Sequence, residues 1–412
     1  MEHRRLSGIS PPLVLLSAVA GGLAVSTVYF AQPLLDRIAA DLAFSPAWAG
    51  TIVVATQAGY ALGLLLIVPL GDLMDRRRLI TAQFAVLTLA LIGVGAARSH
   101  AMLLAAAALL GTMAVVAQSI VAAAASMATP QQRGKVVGTI TSGIISGILL
   151  ARTVAGPVSD LGGWRSVYFG SACCSLVLAI LLYRAFPRSE RNAEPRSYHR
   201  VILTVFELIL QERVLRIRGF IAFLSFFGAT VFLTPLILPL TSPPYSLSHS
   251  QAGLFGIAGA AGAIAARKAG RWSDNGYAQH TTLAGLALLL LCWLPASFLP
   301  LSLWGVALGL LLMDFGLQAV HVANQTLIYR SRPEVQSRLT AAYMLFYSAG
   351  SASGGIASTL VYDRAGWMGI CLLGACGALF AMIVWAKTDR AEIAHLLTRP
   401  SETRQGSLPD YR

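Results

Sequence analysis

The chain is dominated by long apolar runs, and these leave it few ways to fold. Twelve can be marked, at about 11–35, 47–70, 79–97, 101–128, 136–158, 166–186, 216–240, 250–268, 281–299, 302–328, 339–361 and 366–386. Most reach the roughly 20 residues that an α-helix needs to cross the hydrocarbon of a bilayer. Lipid offers no partner to a backbone N–H or C=O, so each segment must satisfy its own groups, and the spans are expected to be helices. The runs predict an all-α integral membrane protein with twelve transmembrane helices. Composition agrees: 12% of the residues are charged, about half the share of an ordinary soluble protein.

The net charge of +13 raises the question of a nucleic-acid partner, and its distribution answers it. With both termini placed in the cytoplasm, Arg37, Arg98, Arg165 and Arg364 fall on the outer side and Arg152 within a span; the other Lys and Arg lie in the termini and even-numbered loops. This is the positive-inside bias that orients helices. The expected partner of that face is anionic membrane lipid, with no nucleic acid, and the expected location is the cell inner (plasma) membrane, multi-pass. His3-Arg4-Arg5 followed by an apolar run has the look of a signal peptide, but the run continues to Leu35, beyond the usual h-region of about 7–15 residues. The first span is expected to stay. Cys173, Cys174, Cys292, Cys371 and Cys376 all sit in spans without Cys-x-x-Cys or Cys/His metal spacing, and read as small hydrophobes. Neither metal nor cofactor is expected.

The spans divide six and six, and the second half repeats the first. Asp160-Leu161-Gly162-Gly163-Trp164 returns as Asp363-Arg364-Ala365-Gly366-Trp367, and Ala49-Gly50 as Ala252-Gly253, both 203 residues on. Phe30-Ala31-Gln32-Pro33-Leu34 returns as Phe232-Leu233-Thr234-Pro235-Leu236, 202 on, and the loop Gly71 to Asp75 as Gly270 to Asp274, 199 on. Matches in the same order at nearly one offset argue for two six-helix pseudo-repeats, a construction common among secondary transporters. The expected division is residues 1–186, a cytoplasmic linker at 187–215, a second bundle at 216–390 and a tail at 391–412. The linker is Arg-rich, with Pro187 and Pro195 interrupting helix, and its later part, Val201 to Leu215, suits a helix lying on the membrane surface. No stretch fits a soluble ATPase module and no phosphate-binding loop occurs. Uphill transport would draw on an ion gradient.

Between the second and third spans the sequence reads Gly71-Asp72-Leu73-Met74-Asp75-Arg76-Arg77-Arg78. This resembles the signature loop of the major facilitator superfamily, Gly-x-Leu-x-Asp-Arg-x-Gly-Arg, with Arg78 in place of the second Gly. Gly270-Arg271-Trp272-Ser273-Asp274-Asn275-Gly276 is a reduced second copy. The resemblance implies a gating role for Gly71, Asp75, Arg76, Gly270 and Asp274, with Asp75 meeting a neighbouring helix end and an Arg to hold the cytoplasmic side closed. The fifth span ends Arg152-Thr153-Val154-Ala155-Gly156-Pro157-Val158-Ser159-Asp160-Leu161-Gly162-Gly163. It resembles the Gly-x-x-x-Gly-Pro-x-x-Gly-Gly element of the twelve-span drug:proton antiporter branch, with Arg152 at the first Gly and the closing glycines two positions late. A helix-packing role is implied for Gly156 and Pro157. The Arg that this branch carries in mid fourth span is missing. Tyr29-Phe30-Ala31-Gln32-Pro33-Leu34-Leu35 resembles the opening of a bacterial drug-efflux-like group.

Of the charged residues, only Asp314 and Arg152 lie well inside spans. Each costs about 2.5–3.5 kcal/mol at a helix centre on insertion scales, so such residues turn to a bundle interior or a wet cavity. Asp314 is followed by Gln318, His321 and Gln325, which at 100° per residue lie within roughly 60° of one another, with Asn324 beside them. Such a stripe serves either as interhelical glue or as a site. A carboxyl can change charge, which makes Asp314 the expected proton carrier. His321 is the second titratable candidate, against the alternative of a hydrogen-bonded packing residue. Arg152 is assigned to the cavity wall, to hold an anionic group or a carboxylate, against a structural role. On the superfamily's scheme of cavity-lining spans, the substrate-binding candidates are Arg152, Gln32, Tyr29, Gln118, Gln318, Asn324, Tyr343 and Tyr347, with Gln57, Tyr60 and Phe226 nearby.

The sequence therefore predicts a secondary active transporter rather than an enzyme, exchanging a small organic or drug-like compound for protons by alternating access and working as a monomer. One alternative is a proton-linked importer of an organic anion anchored by Arg152. Another, of a different class, is a membrane sensor or scaffold, for which the linker is a thin output module.

Overall fold

In the computed structural model, residues 9–187, 198–331 and 336–398 are described. Among them no strand occurs. The helices are α1 (Pro11–Tyr29), α2 (Leu35–Asp41), α3 (Gly50–Leu66), α4 (Arg76–Gly95), α5 (His100–Ala114), α6 (Val116–Met127), α7 (Pro130–Gly162), α8 (Trp164–Ala185), α9 (Tyr198–Gln211), α10 (Arg213–Leu233), α11 (Ile237–Thr241), α12 (His249–Trp272), α13 (Ala278–Leu291), α14 (Trp293–Ala296), α15 (Leu303–Ser331) and α16 (Gln336–Thr398). Nine helices among the described residues are long and apolar enough to cross a membrane, or ten if a pair bent by 41° near residue 149 is one span. That bend is two turns before Pro157, which is exposed on α7. The last helix runs to Thr398, three turns beyond the predicted end of the final span. The linker residues Arg188, Glu190, Arg191, Glu194, Pro195 and Arg196, and the tail beyond Thr398, lie outside the described residues.

The surface is inverted relative to a water-soluble protein. Leu15, Leu89, Val177, Leu372 and Phe380 stand exposed on the flanks of their helices, while Gln32, Gln57, Gln83, Asp314 and Asn324 are buried. Apolar faces turned outward over whole helices suit lipid. Helix α9 lies apart from this pattern: Val205 and Leu208 pack inward while Leu203, Phe206 and Leu210 are exposed, and the Tyr198 hydroxyl donates to the Leu66 carbonyl at 2.7 Å.

The sequence repeat corresponds to repeated local devices. Gly163 and Gly366 both take positive φ, 74° and 57°, a region where a Cβ is disfavoured. In each copy the next residue is a buried tryptophan. Trp164 donates to Asp41 Oδ2 at 3.1 Å, and Trp367 to the Ala296 carbonyl at 2.8 Å. Phe30 meets Tyr168 edge-on at 6.3 Å, and its counterpart Phe232 meets Trp367 edge-on at 5.6 Å. Close helix contacts repeat too. A Cβ on Gly147 would collide with the Gly22 carbonyl, and one on Gly350, 203 residues on, with the Phe223 carbonyl.

Helices from before and after the linker pack along two seams, α7 against α12 and α3 against α16. At one seam a Cβ on Gly50 would strike the Gly355 carbonyl; at the other, a Cβ on Gly253 would stand 3.0 Å from the Arg152 carbonyl. Gly50 and Gly253 are counterparts, as are Arg152 and Gly355, so the two seams exchange partners. Gly156 completes the first seam, because a Cβ there would collide with the His249 carbonyl.

The end of the bundle predicted to face outward is tied across these seams. His249 Nε2 lies 2.9 Å from Asp36 Oδ1, and Thr241 donates to Asp36 Oδ2 at 3.2 Å. Asp160 accepts from Arg37 at 2.7 Å, and from the Ser250 N–H at 2.7 Å and hydroxyl at 2.5 Å. Beside this latch, Asp41 receives Arg165 in an ion pair, and Arg165 also reaches the Ala97 carbonyl at 2.8 Å. The Arg165 hydrogen bond, helped by the Trp164 N–H, holds the Asp41 carboxyl below its ordinary range against the opposing effect of burial.

Two outcomes follow from this end of the molecule. A carboxylate with a depressed folded-state pKa contributes stability above its unfolded pKa and loses it as pH falls through the folded value. Asp41→Asn should therefore lower Tm at pH 7 by no more than about 2 °C, the pair being exposed, and the gap from wild type should close below about pH 4. Asp160→Ala removes charge-assisted bonds across the seam, so a cysteine placed at Gln32 should react roughly tenfold faster with a membrane-impermeant maleimide than in the Asp160 parent.

Candidate functional site

The predicted site residues separate into two levels along the bundle. At the first, Arg152 of α7 and Gln32, just beyond α1, line a small recess with Leu233, Leu236, Phe255 and Leu310. Its walls come from both sides of the linker. Arg152 Nε and Gln32 Oε1 are buried without a hydrogen-bond partner. Asp314, one helical turn from Leu310, is 5% exposed, and its Oδ2 likewise has no partner. Arg152 lies within electrostatic reach of both Asp314 and the Tyr29 hydroxyl, although no Arg152 nitrogen comes within 4.0 Å of the carboxylate. Sequence reasoning singled out these two charges as the ones turned inward; the fold puts Arg152 on the recess wall and buries Asp314 one turn from its lining.

The second level lies about 10 Å further along α15, the rise of seven residues. His321 Nδ1 is 3.0 Å from the Tyr343 hydroxyl and its ring meets Phe226 edge-on at 5.4 Å. This geometry matches the packing alternative for His321. Asn324 is fully buried and donates to the Arg218 carbonyl at 3.3 Å, tying α15 to α10 rather than facing the recess. Gln118 makes a long contact of 3.5 Å with the Tyr60 hydroxyl. Gln318 is half-buried. Between the levels the Tyr29 and Tyr347 hydroxyls are hydrogen-bonded across the two sides of the bundle, and Tyr347 packs on Phe226 at 4.1 Å and near Tyr60 at 6.4 Å. This aromatic cluster joins α1 and α3 to α10 and α16.

At the signature loop, Asp75 caps α4, accepting from the N–H groups of Arg77 and Arg78 at 2.8 and 3.3 Å. A carboxylate there also complements the helix dipole. Arg76 donates to the Gly71 and Ala122 carbonyls, each at 3.2 Å, and to the Ser126 hydroxyl. It thereby ties the loop to α6. Arg77 sits 4.0 Å over the Tyr183 ring. The neighbouring-helix contact implied by the resemblance is thus made by Arg76, while Asp75 serves its own helix. A Cβ would fit at Gly71 and at Gly270, where the nearest atoms are 3.8 and 3.9 Å away. In the second copy the glycine demanded by the backbone is Gly276, with φ of 93°. The Asp274 side chain lies outside the described residues.

Sequence reasoning missed Arg218, which is 4% exposed and reaches Thr282 at 3.5 Å. It lies three residues inside the seventh predicted span and was read with the basic inner loop. It also missed the latch of Asp36, Arg37, Asp160 and His249, because each sits at a loop edge where charge is ordinary. Among the described residues no group of three or more His, Cys, Asp or Glu could hold a metal ion.

Comparison with known proteins fits this geometry. The sequence profile described as Major Facilitator Superfamily matches residues 14–355 and 269–406. The uncharacterized transporter YgaY of Escherichia coli O157:H7 is 43% identical over 92% of this chain and 95% of that protein. Multidrug resistance protein MdtG of Enterobacter lignolyticus is 25% identical over 75% of each. In fold, the chain is similar to a bacterial homolog of the human lysosomal transporter Spinster, solved inward-facing and unoccupied. The TM-score is 0.74 at 15% identity, covering 96% of this chain and 100% of that one. The human organic anion transporter MFSD10 gives a TM-score of 0.68 at 18% identity, covering 91% and 98%. The chain is a membrane transporter, not an enzyme, and it belongs to the Major Facilitator Superfamily.

Proposed function

We propose that this protein is a proton-coupled exporter of a small organic compound, working as a monomer in the inner membrane by alternating access. In this reading twelve helices form bundles at residues 1–186 and 216–390, with the linker at 187–215, the tail at 391–412 and both termini in the cytoplasm. The positive-inside charge pattern, the break of α16 at Gly366 and the exchanged glycine seams support that arrangement. The Asp36–His249 and Asp160–Ser250 contacts act as the outer gate. Gly71, Asp75, Arg76, Gly270 and Asp274 act at the inner one, where Arg76 locks the loop to α6.

The observation that carries the reading is Asp314: a carboxyl buried in mid-span on α15 with Oδ2 unbonded. An ionised carboxylate is poorly tolerated there unless a cation is close. Asp314 therefore alternates between a protonated form and a charged form that uses Arg152 or a bound cation as its partner. A substrate cation and a proton compete for one carboxylate, which is the linkage an antiporter needs. His321, hydrogen-bonded to Tyr343, serves as a second titratable group on the inner level, with Gln118, Gln318, Tyr343 and Tyr347 framing the inner path and Asn324 bracing α15 against α10 behind it. The similarity to multidrug resistance protein MdtG supports export.

A second reading has one observation in its favour. Arg152 faces an apolar recess with Nε unbonded, as an importer of an organic anion would require. Substrate-driven pH changes of opposite sign in proteoliposomes separate the two. For the leading reading, compound accumulation is compared across cells with wild-type protein, Asp314→Asn and no protein. At least one compound should be depleted by wild type alone, and its pH-gradient-driven flux in proteoliposomes should fall at least about a hundredfold in Asp314→Asn, as expected on losing a proton-transfer group. Undiminished pH-driven export by Asp314→Asn sinks the proposal.

A further inference from the structure

The two carboxylates of the latch are unequally supported. Asp160, at the end of α7, accepts from the Ser250 N–H and hydroxyl in the first turn of α12 and from the Arg37 guanidinium of α2 at 2.7 Å. Against the cost of its burial, the Ser250 bonds and Arg37 hold the Asp160 carboxyl below its ordinary range. Asp36 lacks such support. It accepts from the Thr241 hydroxyl at 3.2 Å, and among the described residues no Lys or Arg nitrogen comes within 4.0 Å of it. The basic group that meets it is His249 of α12, whose Nε2 lies 2.9 Å from Asp36 Oδ1.

The other ring nitrogen of His249, Nδ1, is 3.8 Å from Asp160 Oδ1, so a carboxylate stands on each side of the imidazole. A neutral imidazole has one N–H and one lone pair; it serves one carboxylate and turns its lone pair toward the other. The imidazolium directs an N–H at both. Two carboxylates and the Arg37 guanidinium leave one negative charge uncompensated, and a proton on His249 neutralises it. Neighbouring elements offer no alternative cation. Helix α11 and the turn at Gln32–Leu34 carry no charged residue, and α15 carries none before Asp314. Arg165 is paired with Asp41, and Arg152 lies further along α7, about 12 Å from Asp160 by helical rise. The positive end of the α12 dipole opposes a charge on His249, but Asp160 is already bonded to that end through the Ser250 N–H. The His249 side chain is 7% exposed and both carboxylates are 22% exposed, so protons reach the ring through groups open to solvent.

Asp36 and Asp160 lie before residue 187 and His249 after residue 215, so the imidazole bridges the seam that must part when the outer mouth opens. We propose that His249 is a proton-binding site that couples proton uptake to closure of the outer mouth. Its proton bridges Asp36 and Asp160 and locks the latch; loss of that proton leaves Asp36 without a cation and releases the α12 side. By linkage, closure favours proton binding to the same extent that the proton favours closure. In the exporter cycle, a proton arriving from outside shuts the mouth through which substrate has left. The role of His249 rests on the reading of this end as the outer gate and is independent of Asp314 as the proton carrier.

The test is the width of the outer mouth in the purified full-length protein in nanodiscs, with no substrate and no pH gradient. It is read by pulsed electron paramagnetic resonance between nitroxides at Ala40→Cys and Ser242→Cys, which are exposed and on opposite sides of the seam. The exposed Cys173, Cys174 and Cys376 are replaced by alanine. From about pH 8 down to about pH 5, the range in which an imidazole titrates, the ratio of closed to open mouths should rise at least about fivefold. His249→Gln, which cannot take up the proton, and Asp36→Asn, which no longer needs it, should each abolish that rise. It should persist in Asp314→Asn. Asp160→Ala should widen the mouth at both ends of the range. The proposal is overturned if the wild-type ratio is independent of pH, if His249→Gln or Asp36→Asn keeps the rise, or if Asp314→Asn abolishes it. A mouth that Asp160→Ala opens and pH does not overturns the role of His249 alone; one that neither opens overturns the reading of this end as the gate as well. A failure of proton-coupled export leaves these distances unchanged and is seen only in the transport assay.

Discussion

A bundle that is apolar outside as well as inside has no contrast between oil and water to press its helices together. Association then depends on how closely backbones can approach and on the few polar groups they carry. The close contacts of this protein are therefore written in glycine. Gly22 and Gly147 let α1 and α7 meet, and Gly350 against Phe223 does the same for α16 and α10. Gly50 with Gly355, and Gly253 with the Arg152 backbone, set the two seams. A Cβ on Gly50, Gly147 or Gly350 would collide with backbone, so a helix would have to move; one on Gly253 would meet the Arg152 carbonyl at 3.0 Å, where a smaller adjustment suffices.

The seams also explain why the repeat survives in some positions and not in others. Gly163 and Gly366 keep a backbone conformation that disfavours a Cβ, and the tryptophans after them anchor the turn through indole N–H bonds. Those residues do the same mechanical task in both copies. At Arg152 and Gly355 the copies diverge, although both backbones serve the same kind of contact. One half has placed a cation where the other needs only a small residue. Gly111, the counterpart of Asp314, is pressed against the Thr56 carbonyl with no room for a side chain. The carboxyl is thus possible in one half alone, and the site is asymmetric for steric as well as chemical reasons.

Two sets of bonded contacts join helices from before residue 187 to helices after residue 215. In one, Asp36, Arg37, Asp160, His249 and Ser250 tie loop edges together; in the other, the Tyr29 and Tyr347 hydroxyls are bonded and the Phe226 and Tyr60 rings pack against Tyr347. Each set rests on a few directional contacts beside the close-packed glycine seams.

Much of this was written locally in the sequence. Membrane helices follow from the length of the apolar runs, because lipid leaves the backbone no alternative. Residues recurring in order point to a duplication, and the cost of exposing a charge to lipid points Arg152 and Asp314 inward. Gly71-to-Arg78 was readable as a loop motif, though not that Asp75 caps its own helix while Arg76 makes the neighbouring contact. The tertiary structure alone decided which polar residues meet. His321 and Asn324 lie on the same helix as Asp314, and periodicity placed His321 on its face with Asn324 alongside, yet α10 and the start of α16 claim them as packing partners. Arg218 and the four latch residues were invisible because a charge near a span end is unremarkable until a facing helix is known. Sequence specifies what each helix carries, since that depends on the segment's own chemistry; which groups meet, and which are left unbonded, is set by helices far apart in the chain.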